Sequence, residues 1–293
     1  MSSYLEGIII LVGINIIAVL GVSVLTGFTR LFSFGNAGFM AVGAYTSAIL
    51  TTKYHTPFII SIFGGMLVAA LISFALGKLT LGLKGDYFLI TTLGFGECVR
   101  VLIEFLDPIT GGARGYAGIP QKTDLTVVVI AVIICIIITR NLITSKYGRN
   151  IMAIREQELA AEAVGINTTY FKLLSFTVSA VFAGLAGALF AHYFMFITPG
   201  MFNLDKSAEL TITVVIGGLG SITGSIIATT ILTLLPEILR AVANYRMLLY
   251  GISVVLIIIL KPNGLMGYKE LSFETIKRIK DFIMRKRKEV MAR

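Results

Sequence analysis

Three charged residues stand inside an otherwise apolar stretch: Glu97, Arg100 and Glu104. Their spacing of i, i+3 and i+7 sets them on one helix face, each carboxylate within reach of the guanidinium. Charge in lipid is costly, so such a face points into a helix bundle or toward water. It either lines a path for a solute or neutralises itself as an ion-pair ladder, and because both carboxylates reach Arg100 the ladder is the simpler reading. Asn36 is a further candidate for lining a path, as are Gly111 and Gly112 in the loop Thr110-Gly111-Gly112-Ala113-Arg114-Gly115. That loop is too glycine-rich for helix and is bracketed by Pro108 and Pro120. It serves as an outer gate, a docking surface or a plain connection.

Other chemistry is missing. No G-x-x-x-x-G-K-[ST] occurs: Gly77-Lys78 is followed by Leu79, and no lysine follows the glycines around Gly218. Without a phosphate-cradling loop, the chain is not expected to hydrolyse ATP. His55 and His192 stand alone, with no H-E-x-x-H and no G-x-S-x-G to make a metal or nucleophile site. No catalytic residue, metal or cofactor is expected. Cys98 and Cys135 fall in apolar runs without metal-ligand spacing and read as small buried hydrophobes.

The elements that must carry these residues follow from composition. Of 293 residues, 56% are hydrophobic and 14% charged, against about 25% charged in an ordinary soluble domain. There are too few charges to cover a water-facing surface, and too much apolar content for disorder. Two cysteines exclude a disulfide-stapled module. A polytopic, all-α transmembrane bundle remains; strand alternation is absent, which argues against a β-barrel. The net charge of +9 does not indicate nucleic acid. Of the 25 Lys and Arg, ten lie after residue 260 and five between Arg140 and Lys172, where a positive-inside bias collects them.

A bilayer core takes about 20 apolar residues as helix. Candidate spans are 7–25, 34–50, 58–77, 87–106, 125–139, 172–196, 208–235 and 247–260. The first is preceded by Glu6 and no Lys or Arg, unlike a cleavable signal. If the basic segments 140–172 and 261–293 share the cytoplasmic side, an even number of spans separates them, yet three apolar segments are present. The odd one is 208–235, whose 28 residues would make a helix about 42 Å long, more than the ~30 Å core needs. Gly217-Gly218-Leu219-Gly220-Ser221 near its middle suits a sharp bend, so the segment is expected to break there. Five spans before Arg140 put the N-terminus outside, with Arg30, Lys78 and Lys84 inside and Lys53, Arg114 and Lys122 outside. A re-entrant piece within 34–50 would reverse the N-terminus, so the expectation is eight to ten spans.

Ala180-x-x-x-Gly184-x-x-x-Ala188 and Ala183-x-x-x-Gly187-x-x-x-Ala191 place small residues where helices approach closely. Between spans, residues 150–170 read IMAIREQELAAEAVGINTTY. Ile151, Ile154, Ala161 and Val164 give a short amphipathic helix its apolar face, Arg155, Glu156, Glu158 and Glu162 lie opposite, and Gly165 ends it. Its acids argue against lying on anionic lipid and favour a protein partner. In the tail, Phe273, Ile276, Ile279 and Ile283 among Lys277, Arg278 and Lys280 suggest a basic amphipathic helix on the inner membrane face. The domain expectation is a transmembrane domain over 1–265, with a cytoplasmic segment at about 140–171, and a basic tail over 266–293.

Several ordered motifs also carry a resemblance. They are LFSFGNAGFMAVGAY (31–45), GDYFLITTLGFGE (85–97), Thr110-Gly-Gly followed by Gly118-Ile-Pro120, the block 155–165, FAGLAG (182–187) and IGGLGS (216–221). Over most of residues 8–265 the chain resembles permeases for branched-chain amino acids, and most of all the M-type membrane subunit of leucine/isoleucine/valine ABC importers. The resemblance implies an inner-membrane permease whose C-terminus is cytoplasmic. It implies as partners a second homologous permease, two ABC ATPase subunits, an extracytoplasmic substrate-binding protein and membrane lipid. It implies docking of a Glu-Ala-Ala segment with a downstream Gly into the ATPase, approximated here by Glu158, Ala160, Ala161 and Gly165, or by Glu162, Ala163 and Gly165. Gly217, Gly218 and Gly220 would form a hinge. The alternatives are a stand-alone carrier that uses Glu97 for a coupling ion, and a permease of this type that carries urea, amides or other amino acids.

Overall fold

The computed structural model describes residues 3–83, 86–238, 246–261 and 264–267. Its α-helices are α1 (Ser3–Val22), α2 (Asn36–Lys53), α3 (Phe58–Thr80), α4 (Asp86–Phe105), α5 (Asp107–Thr110) and α6 (Leu125–Thr144). They continue with α7 (Lys146–Glu156), α8 (Glu158–Ala163), α9 (Thr168–Phe194), α10 (Leu204–Gly217), α11 (Ile222–Ile238) and α12 (Arg246–Leu260). Two-residue strands β1 (Tyr116–Ala117) and β2 (Phe196–Ile197) pair antiparallel, Tyr116 opposite Ile197. Lys84 and the tail from residue 268, with its expected basic helix, lie outside the described residues.

Among the described residues, four helices are long and apolar enough to cross a membrane by themselves: Tyr4–Gly27, Phe58–Thr80, Leu125–Thr144 and Thr168–Phe194. The second and third expose most of their apolar side chains, with Phe63, Leu67 and Leu71 on α3 and Ile130, Ile134 and Ile137 on α6. Such rows are stable where the solvent is hydrocarbon, because a helix satisfies its own backbone there. Buried hydroxyls follow the same rule, bonding back to carbonyls of their own helix, as in Thr139 to Cys135 and Thr229 to Ser225.

The small-residue rows of α9 pack as expected. A Cβ on Gly43 would lie 2.2 Å from the Gly184 carbonyl oxygen, one on Gly187 1.9 Å from that of Met40, and one on Gly65 2.7 Å from that of Gly43. Thus α2, α3 and α9 touch backbone to backbone around the middle of α9. Helix α1 runs antiparallel to α9, with Gly7 against the Tyr193 hydroxyl and Gly21 against Ser179 and Phe182.

These contacts define two ends of the bundle. At one end α6 finishes, α7 and α8 project and α9 begins; Gly77 of α3 packs there on Leu173. At the other, Thr51 of α2 and Phe58 of α3 meet His192, and β1 meets β2. Helix α2 is continuous, so the re-entrant alternative for 34–50 is not realised. It does start deep in the bundle, where Ser179 donates to Asn36 from halfway along α9. The expected break is present: α10 ends at Gly217 and α11 starts at Ile222. Gly218 and Gly220 take φ of 116° and 99°, values that bar a continuing helix. Helix α11 then returns along α1, pairing Ser225 with Ser23 and Thr233 with Asn15. The break and residues 264–267 lie together, Leu265 N–H bonding the Ile216 carbonyl and Met266 N–H that of Gly217. Gly27, just past the C-terminal end of α1, touches Gly220, so the break sits at the α7–α8 end of the bundle. Among the described residues the bundle is made of α1–α4, α6 and α9–α12, with the first turns of α2 and α10 meeting midway between its ends.

Two expectations are corrected. Cys98 is exposed on α4, and only Cys135 is buried. Helix α4 turns its apolar surface outward on several sides, so an apolar neighbourhood in sequence did not mean a protein-packed one. The single amphipathic helix expected over residues 150–165 is two, because Gln157 is extended at φ −158°. That kink resets the helical phase, so Ile151, Ile154 and Ala161 stay buried while Val164 is 76% exposed.

Candidate functional site

The ladder on α4 forms as its spacing dictates. Arg100 Nε donates to Glu97 Oε2 at 2.8 Å and Nη1 to Glu104 Oε1 at 2.8 Å. The three side chains are about one-third exposed, between 31% and 35%. One guanidinium serves two carboxylates, so the trio carries an excess negative charge.

The Glu97 end of the ladder borders a narrow crevice where α2, α4 and α10 meet. Phe34 and Gly38 line one wall, Leu93 and Glu97 a second, Phe202 and Ser207 a third. Its volume is about 170 Å³ including the part open to solvent, and its walls leave no room for a whole water molecule. Gly38 and Gly96 form the seam, since a Cβ on Gly38 would sit 2.9 Å from Gly96 Cα. Ser207 Oγ accepts from Ala37 N–H at 2.9 Å, and Thr92 Oγ1 from Phe34 N–H at 3.2 Å. The start of α2 is thereby tied to α10 and α4.

The other path candidates do not join this crevice. Asn36 is 1% exposed. It donates to the Ser33 carbonyl at 3.0 Å and accepts from Ser179 at 3.2 Å, so in this state it holds α2 to α9 rather than facing a path. Gly111 (φ 78°) caps α5, and Gly112 (φ 59°) packs on Asp107 and the Glu104 carbonyl, closing the far end of α4. Gly217 packs on Gly224, and Gly218 on Gly267, at the opposite end.

The coupling candidates do cluster, at the projecting α7–α8 tip. Ser145 caps α7, accepting from Tyr147 and Gly148 N–H. Helix α8 ends in a Schellman motif, with Gly165 N–H bonded to the Glu162 carbonyl at 2.9 Å and Ile166 N–H to the Ala161 carbonyl at 3.0 Å. Gly165 takes φ 85° with open space around it. Glu158 pairs with Lys172 of α9, and Glu162 accepts from Thr168 Oγ1 at 2.8 Å. These two contacts fix α8 on the first turns of α9. Arg155 donates to Glu156 and holds its carboxyl below the usual range, with Arg30 from the α1–α2 connection acting in the same direction. Leu159 is 75% exposed beside Val164. Sequence reading passed over Leu159, although an apolar residue amid acids in a projecting turn was a usable signal. His192, read from the sequence as standing alone, is buried, and its ring nitrogens meet the Pro120 carbonyl at 3.0 Å and the Ser47 hydroxyl at 3.0 Å.

Comparison with known proteins bears on both regions. Residues 4–260 match the family described as branched-chain amino acid transport system / permease component. The high-affinity branched-chain amino acid transport system permease protein LivM of Salmonella typhimurium is 35% identical over 287 residues, 86% of this chain and 68% of that protein. LivM of Escherichia coli is similar to the same extent. The corresponding LivH protein of Salmonella typhimurium is 24% identical over 165 residues, 56% of this chain and 53% of that protein. No solved structure matches.

Proposed function

The chain belongs to the branched-chain amino acid permease family, and from that premise we propose that it forms half of a translocation path for leucine, isoleucine and valine, driven by separate ATPase subunits. It is a multi-pass membrane protein and a permease subunit of an ABC importer. Similarity to both LivM and LivH supports partnership with other components of such an importer. The partner set we propose is one homologous permease, two ATPase subunits and one extracytoplasmic binding protein. The chain supplies no ATPase site of its own.

The observation that carries this reading is the α7–α8 tip. A water-exposed turn that shows Leu159 and Val164 to solvent, and is anchored to α9 by two polar contacts, is built to meet another protein. We place it in the cytosol, because the basic residues cluster at that end of the bundle. The C-terminus then lies on the same side. Glu158, Ala161, Glu162 and Gly165 are the coupling residues, and closure of an ATPase dimer pushes on them. Rigid helices then rock between two access states, with Gly217, Gly218 and Gly220 as the hinge. Glu97 and Arg100 lie along the path; Asn36, Gly111 and Gly112 join it when α2 and the 110–115 loop move.

Reconstituting the chain with its companion permease, ATPases and binding protein tests this. Leucine uptake into vesicles should require ATP and survive collapse of proton and sodium gradients. Uptake without ATPases that fails with an ion gradient would select a stand-alone carrier instead.

A further inference from the structure

We propose that the crevice between α2, α4 and α10 is the closed form of a subsite for the ammonium end of the substrate, and that Glu97 is the residue that holds it. The proposal rests on reading the chain as a permease for branched-chain amino acids.

A branched-chain amino acid is a compact apolar side chain beside a charged head. The crevice has the matching parts. Phe34, Leu93, Phe202 and Leu204 give it apolar walls, and Glu97 is the ionisable group on its lining. Arg100 binds Oε2 of Glu97 and leaves Oε1 outside that bond. The same guanidinium is shared with Glu104, so the excess negative charge of the trio is available to an entering cation. The lysine of α10 is engaged elsewhere: Lys206 Nζ donates to Asn15 Oδ1 at 3.1 Å and Glu209 Oε2 at 3.0 Å. An ammonium donating to Oε1 gains a charge-assisted hydrogen bond. A neutral amide or urea gains no such pairing, so the subsite favours amino acids over those solutes.

The subsite opens at the glycine seam. Gly38 and Gly96 meet as bare backbone at this point of the seam, so opening there has to part only the Phe39 and Phe95 rings and the Phe34 N–H bond to Thr92. The substrate enters when the helices rock and leaves when the crevice closes on it.

The ladder reading and the subsite reading make different predictions. Glu97→Gln and Glu104→Gln each take one carboxylate from Arg100, keep an amide acceptor and bring the trio to neutrality. Only Glu97 borders the crevice. In the reconstituted complex at saturating leucine-loaded binding protein, Glu97→Gln should lower leucine uptake at least tenfold. Recovery of the complex and its ATP hydrolysis should be retained, Glu104→Gln should stay within twofold of wild type, and Glu97→Asp should keep most of the uptake. Equal losses for the two Gln variants, or uptake within twofold for Glu97→Gln, overturn the proposal. A second measurement needs no substitution. Modification of Glu97 by dicyclohexylcarbodiimide, read by mass spectrometry, should fall severalfold when turnover includes leucine-loaded binding protein; labelling unaffected by leucine overturns the proposal. A wild-type complex that takes up no leucine would instead overturn the permease reading on which it rests.

Discussion

Gly165 is the position where a small change should separate ATP hydrolysis from transport. Its φ of 85° lies in the left-handed region, and a Cβ there would meet nothing within 4 Å. Substitution therefore costs conformation and not packing. An L-residue pays about 1–2 kcal/mol to sit in that region, Asn less because its short amide bonds locally, and a β-branched residue more. One to two kcal/mol is a factor of about 5–30 in the population of the capped turn. When the cap is lost, the Ala161 and Glu162 carbonyls lose their partners, and α8 no longer holds its angle to α9. The expected order of coupling is Gly, then Asn, then Ala, then Val, with Val lowering leucine transported per ATP severalfold while the complex still assembles. The assay is paired uptake and hydrolysis in reconstituted vesicles. Val at wild-type coupling would refute the argument, and so would Asn as damaging as Val, since the second result would mean that side-chain bulk at a partner surface matters rather than backbone geometry.

Other outcomes follow from the packing. Gly187→Ala drives a Cβ to within 1.9 Å of a backbone carbonyl and should cost several kcal/mol, seen as loss of folded protein from membranes. Gly251→Ala on α12 meets open space and should leave melting in detergent unchanged or slightly raised. His192→Ala strands the Pro120 carbonyl and the Ser47 hydroxyl, which should cost about 1–3 kcal/mol and lower the melting temperature by several degrees; a shift under about 1 °C would show that the network is not structural. Leu159→Glu should leave melting unchanged and reduce ATPase association in a pull-down, because its side chain touches no core.

Much of the fold is legible in the sequence because long apolar runs admit few structures in lipid. The break at 217–221 followed from charge parity and glycine placement, and the Glu97–Arg100–Glu104 ladder from spacing alone. What stayed hidden depends on helix phase and distant pairing. Asn36 sits in a helix with apolar residues on nearly every side, so nothing in the pattern says which face is inward. The break at Gln157 has no Gly or Pro to announce it, and it moved Val164 from the buried face to the surface. The crevice joins α2 and α4 to Phe202 and Ser207, more than 100 residues further along the chain. No local motif records that meeting.

The elbow between α10 and α11 bears on biosynthesis. Its Ile216 and Gly217 carbonyls find their partners in Leu265 and Met266, which leave the ribosome only after both halves and α12 have been made. Until then those two carbonyls, at the α7–α8 end of the bundle, have water as their partner and not the protein. The turn after α12 therefore locks an elbow laid down two helices earlier.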